Sequence, residues 1–273
     1  MKKLFILLFA VAPIVVFAQR KPKIKGSRIV TQVSEELPPF NAVVLNDDLE
    51  INLKKGLGPG FYISADDNLV DILKFEVVDE TLIISSYYTI TAKKELEITV
   101  NYTGLKGLTV KNGTIVSQDV IDTDELFIDA FNNTRLDIKA NASVMDINLE
   151  DTSNADFHVE ADSLNIHMNK RAQSYVYAQT NSGLLDLEGH SSLTMEGTSD
   201  QMQANFMGDS KYKGETMEIG ALQLQISGQA NARVYAFREV TIGAVDNSSI
   251  YLYGQPKITV DQFTGTVQLI KKE

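Results

Sequence analysis

The 273-residue chain carries 25 Lys and Arg against 36 Asp and Glu, a net charge of −11, and has no cysteine. Such an acidic balance disfavours nucleic acid and anionic lipid, whose sites are built from basic patches. The missing cysteines exclude a disulfide framework, thiolate metal centres and a lipid-modified cysteine anchor, so stability has to come from packing and backbone pairing.

Residues 1–18 have the form of an export signal: Lys2 and Lys3, an apolar run over 4–17, and Val16-Phe17-Ala18 ahead of Gln19. The run falls short of the ~20 residues that a spanning helix needs, and no later stretch approaches that length. The chain is therefore expected to pass through the Sec pathway to the periplasm, cell surface or outer membrane, with no transmembrane segment. Residues 19–28 (QRKPKIKGSR) are basic without apolar periodicity and are expected to form a flexible leader.

Residues 29–113 form an irregular N-terminal β portion, with strand-like runs such as IVTQV, FNAVVLN, LEINLKK, FYISAD and ELEITVNYT. One helix is expected over 67–73, with Asp66 or Asp67 capping its free amides and Leu69, Ile72 and Leu73 on one face. The sequence Val78-Asp79-Glu80-Thr81-Leu82 predicts a tight turn between two strands.

Over 114–273 the pattern becomes regular. Short alternating segments (RLDIKA, VMDINLE, ADFHVEA, LNIHMN, SYVYAQT, LLDLEG and so on) are separated by Asn-, Ser-, Asp- and Gly-rich turns. Turn centres near Asn154, Gln173, Ser191, Asp209, Asn231 and Ser248 give a unit of about 19 residues holding two strands. A meander would repeat with each strand, whereas a unit of two strands fits a right-handed parallel β-helix, an all-β solenoid whose coils stack ~4.8 Å apart. Alternation points Ala155, Phe157, Val159, Leu164, Ile166 and Met168 inward. By the same parity Leu185, Leu187, Leu193, Met195, Leu222, Leu224, Ile226, Ala232, Val234, Ile250 and Leu252 are core. The open strand around 266–270 has to be capped, paired or shielded by Lys271 and Lys272.

A family likeness becomes specific over 40–113. Phe40-Asn41-Ala42-Val43-Val44 precedes Leu49-Glu50-Ile51-Asn52-Leu53-Lys54-Lys55-Gly56. Tyr62-Ile63-Ser64-Ala65-Asp66-Asp67-Asn68-Leu69 and the short helix follow, then Phe75–Ile84 and Leu96-Glu97-Ile98-Thr99-Val100. In this order the landmarks resemble the GIN domain, the auto-transporter adhesin head domain of exported proteins common in Bacteroidetes. Its members often have Gly-Ser-Gly-Asp-like turns, where this chain has Thr152-Ser153-Asn154, His190-Ser191-Ser192 and Asn247-Ser248-Ser249, which also tolerate tight turns. The resemblance implies an exported β-helical envelope domain with no established enzymatic activity.

Aligning the coils places His158, Tyr177, Glu196, Lys213, Tyr235 and Tyr253 in one outward row. Asp156, Tyr175, Thr194, Lys211, Arg233 and Tyr251 form the row beside it. Tyr175, Tyr177, Arg233, Tyr235, Tyr251 and Tyr253 are the candidate ligand-binding residues, since tyrosine offers a broad ring with a polar tip to a glycan or an envelope protein. The same rings also suit a ladder that stabilises stacked strands. The other sheet exposes Asp146, Asn148, Asn165, Asp186, Gln203, Asn205, Gln223 and Gln225, which suit a hydrogen-bonded ladder. The spacing of His158, His167 and His190 matches no metal motif, and no nucleophile elbow, metalloprotease helix, phosphate loop or dinucleotide fingerprint is present.

No catalytic residue, metal or cofactor is assigned, and the expected role is a non-enzymatic adhesion or scaffold module of the cell envelope. A carbohydrate-active β-helix enzyme is the alternative; it would need paired carboxylates in a groove, and Asp186 and Glu188 qualify only by being acidic and exposed. Self-association into a structural homo-oligomer, through the polar ladders or the end coil, is the third reading.

Overall fold

The computed structural model describes residues 21–272, and the export signal read over 1–18 lies outside them. The regular part is built from long bent strands. They are β12 (Ile121–Ala130), β13 (Thr134–Leu149), β14 (Asn154–Met168), β15 (Gln173–Leu187), β16 (Ser192–Phe206), β17 (Lys211–Ile226) and β18 (Asn231–Ala244). Each is one coil. In β14 the pairing runs over 154–161, skips Asp162 and resumes over 163–168, and the buried positions change parity there, so the strand turns a corner between two faces, the first and second sheets of the coil. The two short segments expected per coil are thus one continuous strand, because parallel pairing resumes directly after the corner.

The register bears out the period. Arg135 lies beside Asn154, Asn154 beside Gln173, Gln173 beside Ser192 and Ser192 beside Lys211, all in parallel pairs. The result is a β-solenoid of about nine turns with a single short helix among the described residues. The core alternation holds as well: Ala155, Phe157, Val159, Leu164, Ile166 and Met168 are buried, as are the equivalent residues of every later coil named above. Each coil covers the apolar floor of its neighbour, so no single rung has to bury its own inner face.

Coils are joined by tight turns with one residue in the left-handed region, at Asn132, Asp151, Lys170, Gly189, Gly208, Gly228, Asp246 and Gly265. These turns also stack through their backbones: the N–H of Arg171 donates to the Asp151 carbonyl (2.8 Å), and that of Asp209 to Gly189 (2.8 Å). Asn, Asp and Gly tolerate this conformation most readily, which accounts for the turn composition.

The N-terminal portion adds a topological step that sequence order conceals. β3 (Ala42–Leu45) and β4 (Glu50–Lys55) form a coil flanked on both sides. On one side lie β10 (Gly107–Val110) and β11 (Gly113–Ser117), which continue into β12 and β13. On the other lie β7 (Thr81–Ser86) and β9 (Leu96–Tyr102). Between β4 and β7 run β5 (Gly60–Asp66), α1 (Asp67–Val70) and β6 (Leu73–Val78). β6 pairs antiparallel with β7 and β5 antiparallel with β9, and β2 (Val30–Glu36) pairs with β5, which closes this end of the stack. Phe61 stacks on Phe75 at 4.2 Å inside the closure. The Asp79–Glu80 turn forms as expected, both residues having positive φ, and α1 is a single turn that buries Leu69.

Part of the basic leader is structured rather than flexible. β1 (Lys23–Lys25) pairs parallel with β8 (Thr89–Ala92), and Lys21 bonds the Asp47 carboxylate and the Ser86 carbonyl (2.6 Å). The partners that organise it lie more than twenty residues away in sequence, so local composition did not reveal them. At the other end, β19 (Ser249–Tyr253), β20 (Lys257–Phe263) and β21 (Gln268–Lys271) form the last rungs.

Candidate binding face

The exterior of the first sheet consists of columns fixed by backbone register. One runs Asp156, Tyr175, Thr194, Lys213, Arg233, Tyr251. The next runs His158, Tyr177, Glu196, Thr216, and beyond a register shift Tyr235 lies beside Tyr253. Two positions differ from the sequence alignment. Lys213 sits beside Thr194 rather than Glu196, and Lys211 belongs to the column of Ser192.

Both pairs follow the 19-residue period, and the ladder breaks only after them, at a bulge in β17. Tyr212 occupies an inner column otherwise filled by residues such as Ala155, Ser174, Leu193 and Ala232, and its ring stacks on Phe206 at 5.1 Å. A Cβ on Gly214 would stand 2.4 Å from the Tyr212 hydroxyl, so Gly214 leaves room for the phenol. The strand then bulges over 215–217, which stand out of the ladder to β18. Burial, followed by the Glu215 carboxylate, pushes the Tyr212 phenol far above its ordinary value. Neither its hydroxyl nor Glu215 Oε2 has a hydrogen-bond partner among the described residues.

All six predicted residues lie on this face, in two patches. Tyr175 and Tyr177 form one; Arg233, Tyr235, Tyr251 and Tyr253 form the other on adjacent coils. From Tyr175 to Arg233 is three rungs, roughly 14 Å at the usual strand spacing. The tyrosines are half-buried and Arg233 is exposed. Tyr177 stacks on His158 (5.5 Å between centroids) and its hydroxyl accepts from Gln179 Nε2 (3.2 Å). Arg233 pairs with Glu215 (3.1 Å), and the Lys272 ammonium sits 5.4 Å from the Tyr251 ring centre. Burial raises the Tyr175 phenol above its ordinary value, assisted by the Glu196 carboxylate.

Beside the Tyr177 column, where the strands turn the corner, runs a groove of about 930 Å³. Ala142, Ala161, Thr180 and Ser199 stack along it, in register from coil to coil. Its walls carry carboxylates (Asp122, Asp124, Glu160, Asp162, Asp200, Glu218), amides, hydroxyls and the ring of Phe237; Asp122 pairs with Lys55 (3.4 Å) and Asp200 lies 3.9 Å from Arg238. The sequence signal was the polar triplet at each strand centre, Asn141-Ala142-Ser143, Glu160-Ala161-Asp162, Gln179-Thr180-Asn181 and Thr198-Ser199-Asp200, spaced by one coil.

The second sheet holds the expected polar ladder: Asn165 donates to Asp146 (2.6 Å), Asn148 to Asp129 (3.3 Å) and Asn205 to Asp186 (2.7 Å). His167 lies 3.0 Å from Asp186, and His190 3.1 Å from Asp209. Asp186, a candidate for carboxylate chemistry, is thus held within the ladder. Among the described residues no group of His, Asp and Glu is arranged to hold a metal ion, and no helix is long and apolar enough to cross a membrane.

The fold and this face define a β-solenoid that displays register-locked polar and aromatic columns on flat sheets. The chain belongs to the family described as "Putative auto-transporter adhesin, head GIN domain", whose model matches residues 39–158 and again 149–256. Among solved structures it is similar to a "putative adhesin" from Parabacteroides merdae ATCC 43184, at 16% identity and TM-score 0.69 over 91% of this chain and 99% of that one. A "putative adhesin" from Parabacteroides distasonis ATCC 8503 gives 17% identity and TM-score 0.69 over 91% and 100%. A "putative lipid binding protein" from the same strain gives 17% and 0.65 over 92% and 100%. No curated protein matches the sequence.

Proposed function

We propose that the protein is a non-enzymatic adhesion module, exported to the periplasm or cell surface, that binds a glycan or an envelope protein along the first sheet. The observation that carries the reading is the patch of Arg233, Tyr235, Tyr251 and Tyr253 on adjacent coils of a rigid sheet. Half-buried rings supply contact area at low entropic cost. The neighbouring groove adds carboxylates, amides and hydroxyls of the kind that hydrogen-bond sugar hydroxyls, and its charge favours a neutral or amine-bearing sugar over an acidic one. That polar lining favours a hydroxylated ligand over an acyl chain, so the lipid-binding description of one structural neighbour is not carried over.

The test is a glycan array on the chain from Gln19 onward, with an envelope-protein pull-down and a turnover assay on every hit. Binding without turnover is expected, and Tyr235→Ser/Tyr253→Ser should weaken it by roughly tenfold or more, given the worth of aromatic contacts. Unchanged binding by the double variant discards this face. Turnover of a bound glycan overturns the non-enzymatic reading, and binding to neither class overturns adhesion.

A further inference from the structure

The two ends of the stack are finished differently. At the N-terminal end antiparallel strands cover the last parallel coil. At the other end β20 pairs only with β18, and β21 only with β19, so among the described residues each has an unpaired outer edge. Beside β21, Lys271 bonds the Gly254 carbonyl and Lys272 lies over Tyr251, whereas no side-chain hydrogen bond or ion pair is made by β20 among the described residues.

Every residue of β20 is exposed. Its apolar side chains nevertheless continue core columns, since Ile258 pairs with Val240 and Val260 with Ile242. Val240 and Ile242 are fully buried, whereas Ile258 is 43% and Val260 48% exposed. The core thus runs on to an open rung. An unpaired edge with apolar side chains is a template for another strand.

The sequence of β20, Lys257-Ile258-Thr259-Val260-Asp261, is complementary to itself when reversed. Antiparallel pairing centred on Thr259 sets Lys257 opposite Asp261 of a second copy, twice by symmetry, and Ile258 opposite Val260. Neither Lys257 nor Asp261 has an ion-pair partner among the described residues. The register shift steps from Val260 to Gln262, so Asp261 is left out of the ladder to β18. A two-fold contact of this kind closes on itself and leaves the covered N-terminal ends outermost.

We infer that β20 is a self-association edge, through which two copies join by antiparallel pairing in the register Lys257 to Asp261. The occupant is a second copy of this chain because the charge pattern complements its own reverse. The inference stands apart from the tyrosine face, which lies on the other sheet.

Sedimentation equilibrium of the chain from Gln19 onward, across micromolar to submillimolar concentration, tests it. The expected result is a monomer–dimer equilibrium. Lys257→Asp and Asp261→Lys singly place like charges opposite each other and should weaken dimerisation by roughly tenfold or more, while the double exchange restores it. Circular dichroism checks that the variants fold. A wild-type monomer at all concentrations overturns the proposal. So does a dimer indifferent to both single exchanges, or open-ended assembly beyond two copies.

Discussion

Gly197 gives the most direct test of the packed register. It has φ +117°, and a Cβ built on it would lie 1.9 Å from the Ala178 carbonyl oxygen and 2.9 Å from its carbon. That oxygen belongs to the neighbouring coil, on a strand paired on both sides, so it cannot move aside as a flexible side chain would. Gly197→Ala therefore carries two costs. An L-residue in this backbone region costs roughly 1–3 kcal/mol. Forcing a methyl group against the paired Ala178 backbone adds about 1–3 kcal/mol. Together they come to roughly 2–6 kcal/mol, which for a chain of this size corresponds to a melting temperature lower by about 10 °C. Gly58→Ala is the control, because a Cβ there meets nothing within 4 Å and its φ is not positive. Thermal melts followed by far-ultraviolet circular dichroism should separate the two variants clearly. Equal melting temperatures would refute both the 19-residue register at this coil and the close approach that it imposes.

Two further outcomes follow from buried polar groups. Tyr212→Phe removes a buried hydroxyl without a partner and should be neutral or stabilising by up to about 1 kcal/mol in urea unfolding; a clear loss of stability would show that the hydroxyl is hydrogen-bonded. Asp66 is buried and accepts the N–H of Lys94 (3.0 Å) and of Glu95 (3.3 Å). The Lys94 bond, assisted by others and opposed by burial, holds its carboxyl below the ordinary 3.8. A depressed carboxyl contributes stability above its unfolded value and loses it as pH falls through the folded one. Asp66→Asn should therefore melt below wild type at neutral pH, with the gap closing below about pH 4; a gap independent of pH would remove the carboxylate from the account.

Much of this architecture was legible because outward and inward roles separate so cleanly along each strand. Val159, Ile166 and Leu224 could be placed in the core from alternation alone, and the coil length from recurring turns. Lys211 and Lys213 were set two residues off, although the 19-residue period itself gives the observed pairs Ser192–Lys211 and Thr194–Lys213. The other failures share one physical origin, the neglect of interactions between coils. The β3–β4 coil lies between strands formed later in the sequence, and no local pattern announces that β10 returns to β3. Lys23–Lys25 looks like a tether until Thr89–Ala92 supplies its partner. The groove escaped because its triplets, such as Glu160-Ala161-Asp162, resemble turn residues, whereas the strand only bends there and keeps pairing.

The same separation explains how a solenoid of this kind keeps its shape while its surface diverges. Coil-to-coil pairing is made by backbone groups, and the inner columns accept side chains of widely different volume, including the hydrogen-bonded hydroxyl of Ser174, as the succession Ala155, Ser174, Leu193, Tyr212, Ala232 and Ile250 illustrates. Even the largest of these is absorbed by a local bulge, leaving the rungs on either side in register. Outer columns are then free to change residue by residue, consistent with a TM-score of 0.69 at 16% identity. The bulge has a consequence for the exterior as well. Because Glu215 stands out of the ladder it reaches Arg233, which ties the position of the Arg233 side chain beside Tyr235 and Tyr251 to the buried ring of Tyr212. Glu215 thus connects the buried phenol with the candidate surface patch, and variation at Tyr212 should be felt at the Arg233–Glu215 pair before it is felt in the fold.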